Sequence, residues 1–269
     1  MARADALPVA LAHLTALLDA HFSFEPHWWP LVNDDHPFEI LVGSVLVQQT
    51  RWQTVEAALR RLLAADMLQP AALAAADPAE LAAIIRPCAF HTQKAPGLIA
   101  ISRVLCTEFG GDVRAMLAGE RLAVRARLLT LPRIGRETAD TVMLYAGDHA
   151  LFVVDAYTRR LFSRVDLIPG FDCERAAYDL LQQQIELAVA QLAARQPGFE
   201  PLPFYRWLHA LIVEACIHHC QATRPRCRLP GLRPTFVDAR KCAEHCTTCG
   251  GCPAWSVCNY SRTVIVSGA

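Results

Sequence analysis

Between residues 131 and 160 the chain reads Leu131-Pro132-Arg133-Ile134-Gly135-Arg136-Glu137-Thr138-Ala139-Asp140, then an apolar run, Leu151-Phe152-Val153-Val154, that ends on Asp155. Backbone N–H groups at a helix N-terminus hold an anion well, because unsatisfied donors and the helix dipole both point outward. Gly135, followed by Arg136, Thr138 and a helical run, suits a phosphate-binding turn between two helices, with an ordinary helix–helix turn as the plainer alternative. Asp155 follows apolar residues. A carboxylate preorganised in a partly dry site stabilises a transition state that develops positive charge, such as an oxocarbenium ion. The same side chain suits a helix N-cap, accepting from the N–H of residue 157 or 158, and the two roles are compatible. Glu137 falls in the first turn of the second helix, where the dipole favours an acid.

Amine nucleophiles are scarce, since Lys94 and Lys241 are the only lysines. Arginine carries the remaining positive charge and suits bidentate phosphate contacts better than lysine does. Acidic and basic side chains balance at 26 each, so long-range attraction to a polyanion is not written into the net charge and any such contact must be local.

Eleven cysteines are present; Cys88, Cys106 and Cys173 are scattered, and the other eight crowd between 216 and 258. Clustering favours metal ligation over disulfides. After Cys220 the prolines and glycines at 225, 230, 231, 234, 250, 251 and 253 forbid long helices, so something other than an apolar core must fix that tail.

The elements that would position these groups are helical. Leu7, Leu11, Leu14, Leu17 and Leu18 form one stripe, and Ile40-Leu41, Val45-Leu46 and Val55 another. Pro70 and Pro78 imply short helices joined by tight turns; 94–108, 115–129, 176–195 and 204–216 each predict a further helix. The fold class is therefore all-α. At 269 residues and 53% hydrophobic composition the chain has ample material for one large domain or two small lobes. No apolar run reaches the roughly 20 residues that span a bilayer, and Arg3, Asp5, His13 and Asp19 interrupt the Ala/Leu-rich start, so a cytoplasmic protein with no membrane partner is expected.

Taken together, the hairpin, Val154-Asp155-Ala156-Tyr157-Thr158-Arg159-Arg160, Trp28-Trp29-Pro30, the stretch Phe38-Glu39 through Gly43 to Val45-Leu46, Gln48 and Thr50, and Arg86-Pro87 with Phe90 and Gln93-Lys94-Ala95 resemble the helix-hairpin-helix DNA glycosylases of the endonuclease III superfamily. Within it the likeness is to 3-methyladenine DNA glycosylase III and the endonuclease III-related proteins. The resemblance implies base excision repair on damaged double-stranded DNA by a monomer with two lobes: 35–145, ending in the hairpin at about 124–145, and a discontinuous lobe of 1–34 with 146–269.

It also implies roles. Asp155 would stabilise the departing sugar cation or position water. Glu137 stands where strand-nicking relatives carry a nucleophilic lysine, which predicts a monofunctional enzyme; in the 3-methyladenine branch a glutamate there faces the base. Trp28 and Trp29 would wall the base pocket, an ordinary hydrophobic plug being the alternative for such a pair. Gln48, with Gln49 as neighbouring competitor, would fill the gap left by a flipped base and Phe90 would act as wedge, though Phe90 could equally be core. Lys94 lies in a segment resembling a DNA-facing loop; Arg133, Ile134, Gly135, Arg136 and Thr138 would hold phosphate. Arg133 replaces a glycine usual in the family's hairpin, so a left-handed or strained backbone is expected there.

The spacing from Cys220 to Cys227 and within Cys249, Cys252 and Cys258 resembles the C-x6-C-x2-C-x5-C motif that ligates a [4Fe-4S] cluster (about 216–260), interrupted by the stretch from Arg228 to Thr248. Cys220, Cys249, Cys252 and Cys258 are the expected ligands, with Cys227 as alternative second ligand. Cys216, Cys242 and Cys246 are left as free thiols or, with Cys227 or a histidine, an additional zinc site.

Overall fold

A computed structural model describes residues 6–22, 28–33, 37–223, 225 and 252–260. In chain order it contains α1 (Ala6–Asp19), α2 (Pro37–Leu46), α3 (Trp52–Ala64), α4 (Pro70–Ala75), α5 (Pro78–Ile84), α6 (His91–Phe109), α7 (Val113–Leu117), α8 (Arg121–Leu129), α9 (Arg136–Ala146), α10 (Ala156–Arg164), α11 (Tyr178–Arg195) and α12 (Pro201–His218), then a 3₁₀ turn at Trp255–Val257. No strand occurs among the described residues, and no helix among them is long and apolar enough to cross a membrane.

The chain divides into two units, Met1–Trp28 with Phe152–Ala269, and Trp29–Leu151. In the second, α2 is buried from Phe38 to Leu46 and packs on α9 and α6, which makes it the hydrophobic centre of the unit. α3 covers it with Val55, Ala58, Leu59 and Leu62, the i, i+3, i+4, i+7 stripe of an amphipathic helix. Pro70 and Pro78 each open a short helix at the first position, where the missing N–H costs nothing. The helix expected over 115–129 is instead two. Gly119 takes φ +119°, and the Glu120 carboxylate accepts from the N–H groups of Leu122 and Ala123, so a new helix is capped three residues after α7 ends.

In the first unit, α1 buries Leu11, Leu14 and Leu18 and packs on α11 and α12. The segment Phe152–Val154 is buried and belongs to neither helix nor strand. Side chains of α11 meet three of its backbone groups: Phe152 N–H donates to Glu186 Oε1 at 3.0 Å, Gln182 Nε2 donates to the Phe152 carbonyl at 2.7 Å, and Val154 N–H donates to the Tyr178 hydroxyl at 3.3 Å. Buried peptide groups require partners, and for these three one helix face supplies them.

Candidate active site

The hairpin is built by α8, the turn 130–135 and α9. Asp140, fully buried on α9, holds Arg125 of α8 at two points, Nε to Oδ1 at 2.8 Å and Nη2 to Oδ2 at 3.0 Å, which clamps the two helices together. Arg133 takes φ +66°, so the left-handed geometry expected from the missing glycine is present. Gly97 on α6 makes room for it: a Cβ there would lie 2.6 Å from Arg133 Cγ. Arg133 Nη1 donates to Gln93 Oε1 at 3.2 Å.

Gly135 is the N-cap of α9 with φ −94° and ψ −177°, extended backbone open to any residue, and its N-terminus has no side-chain cap. A Cβ added at Gly135 would meet no atom of the protein within 4 Å, so what a side chain there would obstruct is the approach of an outside group. Gly135, Arg136 and Glu137 are exposed and, with the rest of 133–138 and Gln48 and Gln49, line an open hollow of about 590 Å³. Uncapped N–H groups beside such a hollow are what an anion needs. The side chains of Ile134 and Thr138 are buried, so these two can offer an anion only backbone.

The glutamine pair divides. Gln48 Nε2 donates to the Arg133 carbonyl at 2.8 Å and Thr138 Oγ1 at 3.0 Å, tying α2 to the hairpin, whereas Gln49 is exposed. Phe90 is also exposed rather than core. Lys94 requires a correction: expected to face DNA, it is 0% exposed, and its ammonium donates to the carbonyls of Leu46 and Gln48 and to Thr50. Three internal acceptors replace water around the charge, and none is left for a phosphate.

Trp29 belongs to the same unit, 8% exposed against Trp52 and Tyr145. That is the plug arrangement and leaves its ring little open face. Trp28 falls in the other unit and is half-buried; its indole N–H donates to Glu214 Oε1 at 3.0 Å, and its ring meets His209 edge-on at 5.8 Å.

Asp155 is the N-cap of α10, with Oδ1 accepting from Thr158 N–H at 2.6 Å. Its other oxygen lies 3.6 Å from His209 Nε2 of α12. At 7% exposure, burial alone would raise its pKa, but His209 and the Thr158 N–H outweigh this and hold the carboxyl below its ordinary value. His209, Glu214 and His218, whose Nε2 lies 3.0 Å from Glu214 Oε2, were not anticipated from the sequence. The available signal was polar residues set among Leu208, Ala210, Leu211 and Val213 on an otherwise apolar helix.

At the end of α10, Arg164 donates to Cys220 Sγ at 3.2 Å and to the carbonyls of Gln221 and Ala222, while Cys258 Sγ lies 3.6 Å from the Arg164 carbonyl. A hydrogen bond from the neighbouring Cys216 thiol, joined by the Arg164 guanidinium and opposed by burial, brings the Cys220 thiol down to about 6. A guanidinium donating to sulfur suits a cysteine that works as a thiolate ligand. Cys227, Cys242, Cys246, Cys249 and Lys241 lie outside the described residues, and among the described ones no His, Cys, Asp and Glu group of three or more is placed to hold a metal. Cys220, Cys252 and Cys258 are thus not gathered into one site as they stand; the remaining cysteines of the expected zinc lie outside the described residues, nothing supports that metal, and it is not carried further.

Residues 42–190, more than half of the chain, match the model of the HhH-GPD superfamily base excision DNA repair proteins. The chain belongs to this superfamily. Among its relatives, a putative DNA repair glycosylase of Methanocaldococcus jannaschii is 35% identical over 72% of this chain and 82% of its own length. Endonuclease III of Thermotoga maritima is 33% identical over 48% of this chain and 56% of its own. The crystal structure of the H. pylori 3-methyladenine DNA glycosylase bound to 1,N6-ethenoadenine superposes with a TM-score of 0.63 at 29% identity, covering 76% of this chain and 95% of that one. A non-covalent endonuclease III–DNA complex, at 18% identity and a TM-score of 0.67, shares the fold. The hairpin and Asp155 of this HhH-GPD glycosylase both fall within the matched span.

Proposed function

We propose that this HhH-GPD glycosylase is monofunctional and uses water to hydrolyse the N-glycosidic bond of N-alkylated purines, 3-methyladenine first, after the nucleotide is flipped from duplex DNA. The observation that carries this reading is Glu137, an exposed acid in the first turn of α9, at the position that the sequence resemblance matches to the nucleophilic lysine of strand-nicking relatives. Lys94 does not replace that lysine, because its amine is buried and committed to backbone. An acid can hydrogen-bond a purine's exocyclic amine or attract a cationic alkylated ring, and alkylation makes the base a better leaving group that needs less help from a general acid. Asp155, held ionised, stabilises the sugar cation as the base departs. Trp28 supplies an aromatic face, with cation–π attraction as its selectivity. Arg133, Arg136 and the N-terminus of α9 hold phosphate, and Gln48, Gln49 and Phe90 meet the duplex around the vacated base. The substrate named for the H. pylori relative supports the same class.

Purified protein incubated with duplexes carrying alkylated, oxidised or deaminated bases is expected to release 3-methyladenine without cutting the strand. Release confined to oxidised or deaminated bases would reassign the substrate; a borohydride-trapped covalent adduct with the wild-type protein would overturn the monofunctional reading.

The same reading includes a [4Fe-4S] cluster held by Cys220, Cys252 and Cys258 with Cys249, or Cys227, as the remaining ligand. The Arg164 guanidinium donating to Cys220 Sγ fits thiolate ligation at that cysteine. Bound, the cluster would supply cross-linking to a tail too rich in proline and glycine to pack by itself. Native protein should then contain roughly four iron and four sulfide per chain with a broad visible absorption; a colourless protein carrying only zinc would end this assignment.

A further inference from the structure

Two loop tips in the unit Trp29–Leu151 share a rare backbone. Gln49, in the turn after α2, has φ +55°, and Phe90, the N-cap of α6, has φ +55° and ψ +31°. Neither is glycine or asparagine, so each holds a left-handed conformation that L side chains seldom adopt. Both side chains are exposed, Phe90 by 46%. Conformations of this kind persist only where the surroundings over-determine them.

The over-determining group is Lys94. Its amide N–H donates to the Phe90 carbonyl at 2.9 Å, beside the Gln93 N–H at 3.0 Å, in the first turn behind that tip. Its ammonium crosses to the other tip, donating to the Leu46 carbonyl at 2.8 Å, the Gln48 carbonyl at 2.7 Å and Thr50 Oγ1 at 3.3 Å, on both sides of Gln49. Thr50 Oγ1 accepts in turn from the Ala89 N–H at 3.1 Å, which brings the bond back to the residue before Phe90. The ring of contacts is closed: 46, 48 and 50 on one side, 89 and 90 on the other, and one side chain between them. The Leu46 carbonyl ends α2, where a cation also matches the negative end of the helix dipole. Burial lowers the Lys94 pKa to about 8, the nearby Arg133 adding to this and Cys88 opposing it, so the ammonium is charged at neutral pH.

We propose that Lys94 is a positioning residue that staples the Gln49 and Phe90 tips at a fixed separation, so that both enter the duplex together when a nucleotide leaves the stack. This rests on reading Gln49 and Phe90 as residues that meet DNA, and it assigns the buried lysine to probing damage rather than to phosphate binding.

The test uses the full-length protein and a duplex with a tetrahydrofuran abasic analogue opposite 2-aminopurine, whose fluorescence reports insertion beside it and requires no base release. Lys94→Met should lower affinity for this duplex and its fluorescence response by on the order of 10²-fold, the effect of misplacing a positioned group by an ångström. Affinity for undamaged duplex, set by phosphate contacts, should stay within about twofold. Equal losses on both duplexes would make Lys94 merely structural and overturn the proposal, as would no loss on either. Should Lys94→Met not fold, Thr50→Val, which opens the same ring, decides by the same two measurements. Because no base is released, failure of the substrate assignment leaves this result readable.

Discussion

Asp155→Asn should lower single-turnover base release by about 10²–10³-fold or more, the range for removing one preorganised electrostatic group. Asparagine caps a helix about as well as aspartate, so the acceptor for Thr158 N–H persists and α10 should keep its start. What is lost is the charge beside the developing sugar cation. Affinity for duplex should change little, so the defect should appear in the chemical step and not in binding. Excision at the wild-type rate would remove Asp155 from the mechanism. The wild-type pH profile gives a second reading of the same group. Its folded-state pKa is depressed, so the folded protein keeps the ionised form down to the lowered value, and the stability it contributes is fully present above the ordinary carboxylate value and is lost as pH falls through the lowered one. Base release should therefore not decline between about pH 5 and 4 on account of this residue.

Asp140→Ala should destabilise the protein by about 3–5 kcal/mol, because it takes the carboxylate away from a guanidinium in a largely buried position. For a chain of this size that corresponds to a fall in Tm of roughly 10 °C. Asp140→Asn, which keeps the volume and one acceptor, should cost less. The ion pair joins the two helices of the hairpin, so duplex affinity should fall along with Tm. Thermal melting and a filter-binding assay together check this, and a Tm within about 1 °C of wild type would show that the clamp contributes nothing.

Local signals in the sequence carried a good part of this fold. The Leu11, Leu14, Leu18 stripe, the prolines that open α4 and α5, and the Gly135 turn with its left-handed Arg133 all act through nearest neighbours, and each is found as the residue types dictate. The split between α7 and α8 was missed because Gly119 and Glu120 carry the boundary inside a continuous helical pattern. Long-range partners were less legible. Nothing near Asp155 in sequence announces His209, and nothing near Trp28 announces Glu214, since both arrive on a helix whose period shows only that they face inward. Lys94 misled for the opposite reason. A lysine in a polar-looking segment is ordinarily solvated, and its burial depends on carbonyls more than 40 residues away in sequence.

The buried stretch before Asp155 has one further property. Where a strand pairs with another backbone, equivalent donors and acceptors recur along the partner every two residues. Phe152 and Val154 face three unlike groups, a carboxylate, an amide and a phenol, spaced by turns of α11, so a displaced segment would not present the same donors and acceptor to the same partners. The segment thus has a single register, written in side chains, and it fixes how far along the chain Asp155 stands. A one-residue insertion or deletion between 152 and 155 has no neighbouring alignment into which it can relax.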